Sequence, residues 1–396
     1  MSERDIVLAC PLRTPIGKFG GALSSLSAVE LGTHVVKKVL EQSRVSPEQV
    51  DGLIFGNARQ AGNGVNPARQ ILYRSGIPET IPAHTVNMAC ASGLQTIISA
   101  SQVIREGDAD LIIVGGTESM SRVPFMAEPE LRWGLRLGHH TLLDGMYRDG
   151  LRCSLSGLIM GETAENLARR YEISREEQDE YACMSQNRCQ KARVSGRFAS
   201  EIVPIAVKSK KGRTRIEIDE HPRDNVTQEG LDKLRPVFAQ DGTVTAGNSS
   251  GIVDGAAALI VTTREKAEKL DLTPLARIAG YAATGCDPTI MGIAPVSAIQ
   301  ALQERTGVSL HDIDLIELNE AFAVQVLACH RELPLDLEKL NVNGGAIALG
   351  HPIGCTGTRI VVTLLHEMQR REEARLGLAT LCVSGGMGMA LLVERC

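Results

Sequence analysis

Short apolar runs alternate with amphipathic stretches through the first 120 residues. Residues 6–9 read as a strand, and Val29, Val36, Val39 and Leu40 recur at helical spacing within residues 27–42. Residues 51–57 predict a strand ending in polar side chains. Residues 85–88 lead into Cys90-Ala91-Ser92-Gly93, after which residues 94–104 resume a helical pattern. Residues 111–114 are apolar and β-prone, and they predict a strand stopping at Gly115-Gly116. Strands followed by helices over short links imply a layered sheet with helices outside it.

The pattern changes between residues 121 and 246. Proline, arginine and methionine interrupt residues 122–146, and helices are predicted over 163–171 and 175–194. Ser174, three residues before Glu177, supplies a capping box for the second. Lys208, Lys210, Lys211, Arg213 and Arg215 then form a basic ribbon, which reads either as a solvated hairpin or as an anion-binding surface. This section looks inserted into a more regular scaffold.

Regular signals resume after Gly255. Strands are predicted over 256–261, 275–283, 315–318, 342–345, 378–383 and 387–393, and helices over 296–304, from Phe322 to about Cys329, and over 354–370. Leu53-Ile54-Phe55-Gly56-Asn57 is echoed by Leu315-Ile316-Glu317-Leu318-Asn319. Cys90 and His351 follow those asparagines at nearly equal separations. Ile112-Ile113-Val114-Gly115-Gly116 is likewise echoed around Leu381–Gly386. The common order of these matches points to two similar halves separated by an insertion.

Composition narrows the class. With 396 residues, 43% hydrophobic and 22% charged, the chain can bury a large core in two or three units. The net charge of -5 disfavours a nucleic-acid partner. No apolar run approaches the ~20 residues that span a bilayer. The N-terminus lacks secretory zones and the C-terminus is no peroxisomal address, so a cytoplasmic protein is expected. Ten cysteines occur without a CxxC pair or metal-ligand spacing, so neither a disulfide framework nor a metal is expected.

Four positions can carry chemistry. Cys90 lies at a predicted strand-to-helix transition, where unpaired backbone N–H groups and the helix dipole favour a thiolate and an oxyanion. Core packing is the other reading of that thiol. His351, between Gly350 and Pro352-Ile353-Gly354, sits in an unobstructed turn and can serve as the base for a nearby cysteine, or be a surface histidine. Cys382 precedes Ser384-Gly385-Gly386-Met387-Gly388, which reads as a backbone-donor turn or a tight hairpin. It is not a nucleotide fingerprint or a phosphate loop. Asn319 either caps a helix or works in the site.

In these blocks the chain resembles the thiolase family. Cys90-Ala91-Ser92-Gly93 is similar to its nucleophile segment, Asn319-Glu320-Ala321-Phe322 to its asparagine motif, Gly350-His351-Pro352 to its histidine motif, and Cys382-Val383-Ser384-Gly385-Gly386-Met387-Gly388 to its terminal motif. Ala246-Gly247-Asn248-Ser249-Ser250-Gly251 and the inserted section extend the resemblance over nearly the whole chain.

The resemblance implies an α/β, duplicated, five-layered α-β-α-β-α fold with an inserted loop domain. Residues 1–120 with 247–270 would form the N-terminal half, 121–246 the loop domain that contacts coenzyme A, and 271–396 the C-terminal half. Coenzyme A, acetyl-CoA and 3-ketoacyl-CoA would be substrates, with no tightly bound cofactor, and the assembly a homodimer or homotetramer. The implied reaction is reversible, non-decarboxylative Claisen condensation and thiolytic cleavage. Cys90 would be acylated, His351 would favour its thiolate, and Cys382 would move the α-proton. Asn319 would hold a water forming one oxyanion hole with His351, and the N–H groups of Cys90 and Ser384 would form the other. Ser250 would bind the pantetheine arm. Leu151, Met160, Leu234, Ala246, Ala321 and Phe322 would line its passage, with Phe238 and Arg223 nearer the nucleotide.

Two departures are visible. Ser384 stands where the family usually has glycine, and Ile159 stands near Met160 where short-chain biosynthetic members often have histidine. The second widens the expected substrate to longer 3-ketoacyl chains. The competing readings are a decarboxylating ketoacyl synthase and a non-catalytic acyl-CoA-binding protein.

Overall fold

Along the strand Leu111–Ser119, Ile112 and Val114 pack into one apolar layer while Leu111 and Ile113 pack into another. The strand Val253–Thr263 divides the same way, Leu259 and Val261 facing the first layer and Ala258 and Ile260 the second. In the C-terminal half, Leu381 and Val383 join the first layer, and Leu378 joins a third. This two-residue alternation makes the architecture five-layered. Two helices, Ser92–Glu106 and Ile353–Arg370, fill the middle. A sheet lies on each side of them. Ala28–Ser43 covers one sheet and Ala294–Thr306 covers the other. The computed structural model describes residues 4–209 and 212–396.

The two halves repeat one topology. Gly52–Gly56 runs parallel to Leu111–Ser119, which pairs antiparallel with Val253–Thr263, which in turn pairs antiparallel with Ile6–Arg13. In the second half Leu315–Leu318 runs parallel to Leu376–Val383, followed by Met387–Arg395 and Ala276–Gly285, each antiparallel to its neighbour. Among the described residues, strand pairing joins the two sheets where Val7 and Leu8 pair with Arg277 and Ala276. Asn57 and Asn319 therefore end equivalent strands, and Cys90 and His351 precede equivalent central helices.

Segment 121–246 departs from both sheets. It holds the small hairpins Phe125–Ala127 with Leu142–Asp144 and Ile205–Ser209 with Gly212–Ile216. It also holds the helices Met160–Arg170 and Arg175–Val194. Ser174 caps the second helix as expected: Glu177 N donates to its hydroxyl at 3.1 Å and Ser174 N donates to the Glu177 carboxylate at 2.7 Å. Within the basic ribbon, Lys210 and Lys211 lie outside the described residues; Arg213 and Arg215 are exposed on a hairpin strand. Buried Glu320 fastens this segment to the C-terminal half by accepting from Tyr181 Oη at 3.0 Å and Ser185 Oγ at 2.7 Å.

Two predicted elements differ. The strand at Leu111 continues through Gly115-Gly116 to Ser119 instead of stopping there. A side chain at Gly116 would strike Gly354 O, so glycine serves close approach of sheet and helix rather than a turn. Residues 342–345 form no strand. The Asn341 side chain substitutes for one, accepting from Leu318 N at 3.0 Å and donating to Leu318 O at 2.8 Å.

Candidate active site

The central helices cross closely because Gly93 and Gly357 face each other's partners. A Cβ at Gly93 would lie 2.7 Å from Thr358 N, and one at Gly357 would overlap Leu94 N. This crossing brings the N-terminal ends of both helices to one cavity of about 270 Å³. Cys90, His351, Cys382 and Ser384 line it, with Leu151, Met160, Phe238, Ser250, Ala321 and Phe322.

Cys90 follows Ala89, whose φ of 44° is left-handed although it carries a side chain. Such a residue costs roughly 1–3 kcal/mol and persists only where its surroundings hold it. Ala89 N donates to Asn87 Oδ1 at 3.1 Å, and Ser92 Oγ donates to Ala89 O at 2.7 Å. Burial pushes the Cys90 thiol up, while the Ser384 N–H and the Arg59 charge pull it down. Because burial prevails, the helix terminus does not leave a standing thiolate. For this thiol to act as a nucleophile, a base would have to take its proton.

His351 is such a base in geometry. Its Nδ1 lies 2.6 Å from Thr356 Oγ1, which donates its own proton to Pro352 O at 3.0 Å. Thr356 must then accept from Nδ1–H, which leaves Nε2 a free acceptor. Nε2 is buried without a partner. Burial, then the charges of Arg359 and Arg59, hold the imidazole down at about 3, so the ring is neutral near pH 7.

Cys382 lies on Leu376–Val383, opposite Gly388. Its thiol is pushed well above the ordinary range by burial first and then by Cys90. A thiol so held carries its proton near pH 7. Gly385 and Gly386, with φ of 93° and 82°, turn the chain so that the Ser384 N–H faces the Cys90 sulfur.

Asn319 is buried but is not on the cavity wall, and neither its Oδ1 nor its Nδ2 has a partner.

The remaining predicted contacts divide between two cavities. Arg223, Leu234 and Ala246 line a second one of about 240 Å³, beside Gln186 and His221. Phe238 lines the cavity of Cys90, edge-on to Phe322 with centroids 6.3 Å apart. Ser250 N donates to Ala321 O at 3.0 Å and His351 N donates to Gly251 O at 2.9 Å. The motif at 246–251 is thereby tied to both the asparagine and histidine motifs.

Sequence reasoning missed Thr356, Glu118 and Arg59. Thr356 lies in the first turn of the helix after His351, a spacing that was available as a signal. Glu118 is fully buried and accepts from Asn57 Nδ2 at 2.7 Å, Arg59 N at 3.0 Å, Ala58 N at 3.1 Å and Gly354 N at 2.8 Å. It joins the two halves beside His351. Among the described residues no group of three or more His, Cys, Asp or Glu could hold a metal ion, and all ten cysteines are free.

Comparison with known proteins agrees with this architecture over the whole chain. Residues 6–265 match the model of the thiolase N-terminal domain and residues 272–395 that of the thiolase C-terminal domain. The chain is 51% identical to an acetyl-CoA acetyltransferase of Chromobacterium violaceum over 392 residues, covering 99% of this chain and 100% of that protein. The crystal structure of human mitochondrial 3-ketoacyl-CoA thiolase superposes with a TM-score of 0.96 at 45% identity, covering 100% of both chains. That of a Bacillus anthracis acetyl-CoA acetyltransferase gives 0.97 at 45% identity, covering 100% of this chain and 99% of that one. The chain belongs to the thiolase family of acyl-CoA C-acyltransferases.

Proposed function

We propose that the protein cleaves 3-ketoacyl-CoA with coenzyme A, and runs the reverse condensation, through an acyl-Cys90 intermediate. The observation that carries this reading is the convergence of Cys90, the His351 imidazole and Cys382 on one cavity. In cleavage, His351 Nε2 takes the Cys90 proton and the sulfur attacks the C3 ketone. The C2–C3 bond then breaks, and Cys382 protonates the acetyl-CoA enolate that departs. The Cys382 thiolate next takes the proton of an incoming coenzyme A thiol, whose sulfur attacks the acyl-Cys90 carbonyl. Acyl-CoA leaves, and the proton on His351 returns to Cys90.

Oxygen charge develops twice. We assign one oxyanion site to the N–H groups of Cys90 and Ser384, and the other to His351 with a water held by Asn319. Each preorganised donor is worth about 3 kcal/mol in such a site. The Ser384 side chain does not alter its N–H donor. The cavity at Cys90 would take the acyl group and the end of the pantetheine arm, with Ser250 on its wall. The cavity of Arg223, Leu234 and Ala246 suits the nucleotide end.

Residues 121–246 would act as the loop domain over coenzyme A, between halves formed by 1–120 with 247–270 and by 271–396. Exposed Phe125, Trp133, Leu137 and Leu142 give its outer excursion the apolar surface of an assembly contact, which favours a homotetramer built from dimers. No helix among the described residues is long and apolar enough to cross a membrane; we place the protein in the cytoplasm. A decarboxylating condensation fits less well, because the cavity wall holds one histidine and a second sulfur. Ile159 on that wall, in place of a polar ring, favours acyl chains beyond four carbons. Trapping of an acyl adduct on Cys90 tests the reading as a whole.

A further inference from the structure

Among the described residues, Arg59 is the only charged side chain on the wall of the Cys90 cavity, His351 being neutral as its burial requires. The residue is 8% exposed. Its guanidinium donates to a single protein acceptor, Asp149 O, at 3.1 Å. Nε is buried with no partner. The backbone of Gly150 covers the guanidinium, since a Cβ there would lie 2.6 Å from Nε and 2.9 Å from Nη2. The group is thus held in place by its neighbours, with Nε buried and bonded to no protein acceptor, on the wall between this cavity and a more open one lined by Gln60, Asn87 and Asp149.

Neighbouring carboxylates do not use the Arg59 donors. Both oxygens of Glu118 are occupied by four other N–H groups, so its charge reaches Arg59 without meeting the guanidinium fork. Asp149 turns its side chain toward Arg148. A buried guanidinium with vacant planar donors is matched by a carboxylate, which accepts from two N–H groups at once. A methyl-terminated chain in the same place would leave those donors unsatisfied and would add nothing to offset the buried charge.

We infer that the acyl end of this site recognises a terminal carboxylate, so that the favoured substrates are short 3-ketoacyl-CoA thioesters ending in a carboxylate, held by Arg59. This rests on the thiolase reading of the same cavity. The bonds made and broken are those already described. The Cys90 intermediate then carries an ω-carboxyacyl group, which passes to coenzyme A while acetyl-CoA leaves.

A matched pair of six-carbon substrates tests it: 3-oxoadipyl-CoA, which ends in a carboxylate, against 3-oxohexanoyl-CoA, which ends in a methyl group. The wild-type ratio of kcat/KM values, carboxylate over methyl, is expected to exceed about tenfold, a modest part of the roughly 10⁴–10⁵ that a site built to bond a polar group can reach. Arg59→Leu is expected to lower that ratio by more than tenfold, with Arg59→Lys falling between. A wild-type ratio at or below one overturns the inference whether or not the variant folds. So does an Arg59→Leu enzyme that loses both activities in equal proportion, because Arg59 would then act on Cys90 rather than on substrate. Failure of Cys90 to acquire an acyl group from any acyl-CoA would instead overturn the thiolase reading beneath it.

Discussion

Thr356 Oγ1 lies 2.6 Å from His351 Nδ1 and commits its own proton to Pro352 O, so the imidazole proton is fixed on Nδ1 and Nε2 is left to accept. Thr356 is not itself a lining residue of the cavity, yet through His351 it selects which nitrogen can serve as base. Thr356→Val keeps the shape and removes the acceptor. It is expected to slow acylation of Cys90 by about 10–100-fold, less than the roughly 10²–10⁴-fold of losing a general base outright because the imidazole itself remains, while Thr356→Ser stays near wild type. Stopped-flow release of coenzyme A from acetyl-CoA measures the step.

Cys382 separates carbon–carbon chemistry from acylation. Cys382→Ser is expected to retain transfer of an acetyl group from acetyl-CoA to Cys90, yet to lose about 10²–10⁴-fold in cleavage of a 3-ketoacyl-CoA. Steady-state thiolysis, compared with single-turnover acylation, distinguishes the two. Equal losses in both would place Cys382 in general architecture.

His351 also sets a pH dependence of stability. Its folded-state value, near 3, lies below the ordinary 6.5. Between those values the unfolded chain binds the proton and the folded one does not, so stability is full above about pH 6.5 and falls as pH drops toward 3. The contribution lost between pH 6.5 and 5 is on the order of 2 kcal/mol. Urea unfolding at both pH values should show a shallower pH dependence for His351→Gln than for wild type.

Glu118 binds the loop 57–59 of one half to the helix start of the other. Glu118→Gln turns an amide N–H₂ toward N–H donors on one side. It is expected to destabilise the fold by about 2–4 kcal/mol, the range for leaving buried donors unmatched beside a removed charge. Guanidinium unfolding at fixed protein concentration provides the value.

Much of the frame was legible because it rests on local periodicity. Leu111 and Ile113 against Ile112 and Val114 declare a strand buried on both faces, and Ser174 with Glu177 declares where a helix begins. The repeated Asn57 and Asn319 disclosed the duplication because each ends an equivalent strand. Long-range matches were not legible. Gly115-Gly116 read as a stop because nothing near them shows that Gly354 presses on the sheet from more than 200 residues away. Asn341 completes a strand edge with its side chain, which no backbone periodicity reports. The edge contact of Phe238 with Phe322 depends on how the inserted segment folds back, which local periodicity does not report. Arg59 carries no signal in the sequence, and only its enclosure by Gly150 and Asp149 makes it part of the site.

Intact-mass analysis after brief exposure to acetyl-CoA is the most direct test of the acyl-Cys90 intermediate. Wild type and Cys382→Ser are expected to gain one acetyl group per chain, mapped to Cys90, and Cys90→Ser to gain none as a thioester. Acetylation of Cys90→Ser at wild-type stoichiometry would contradict the account.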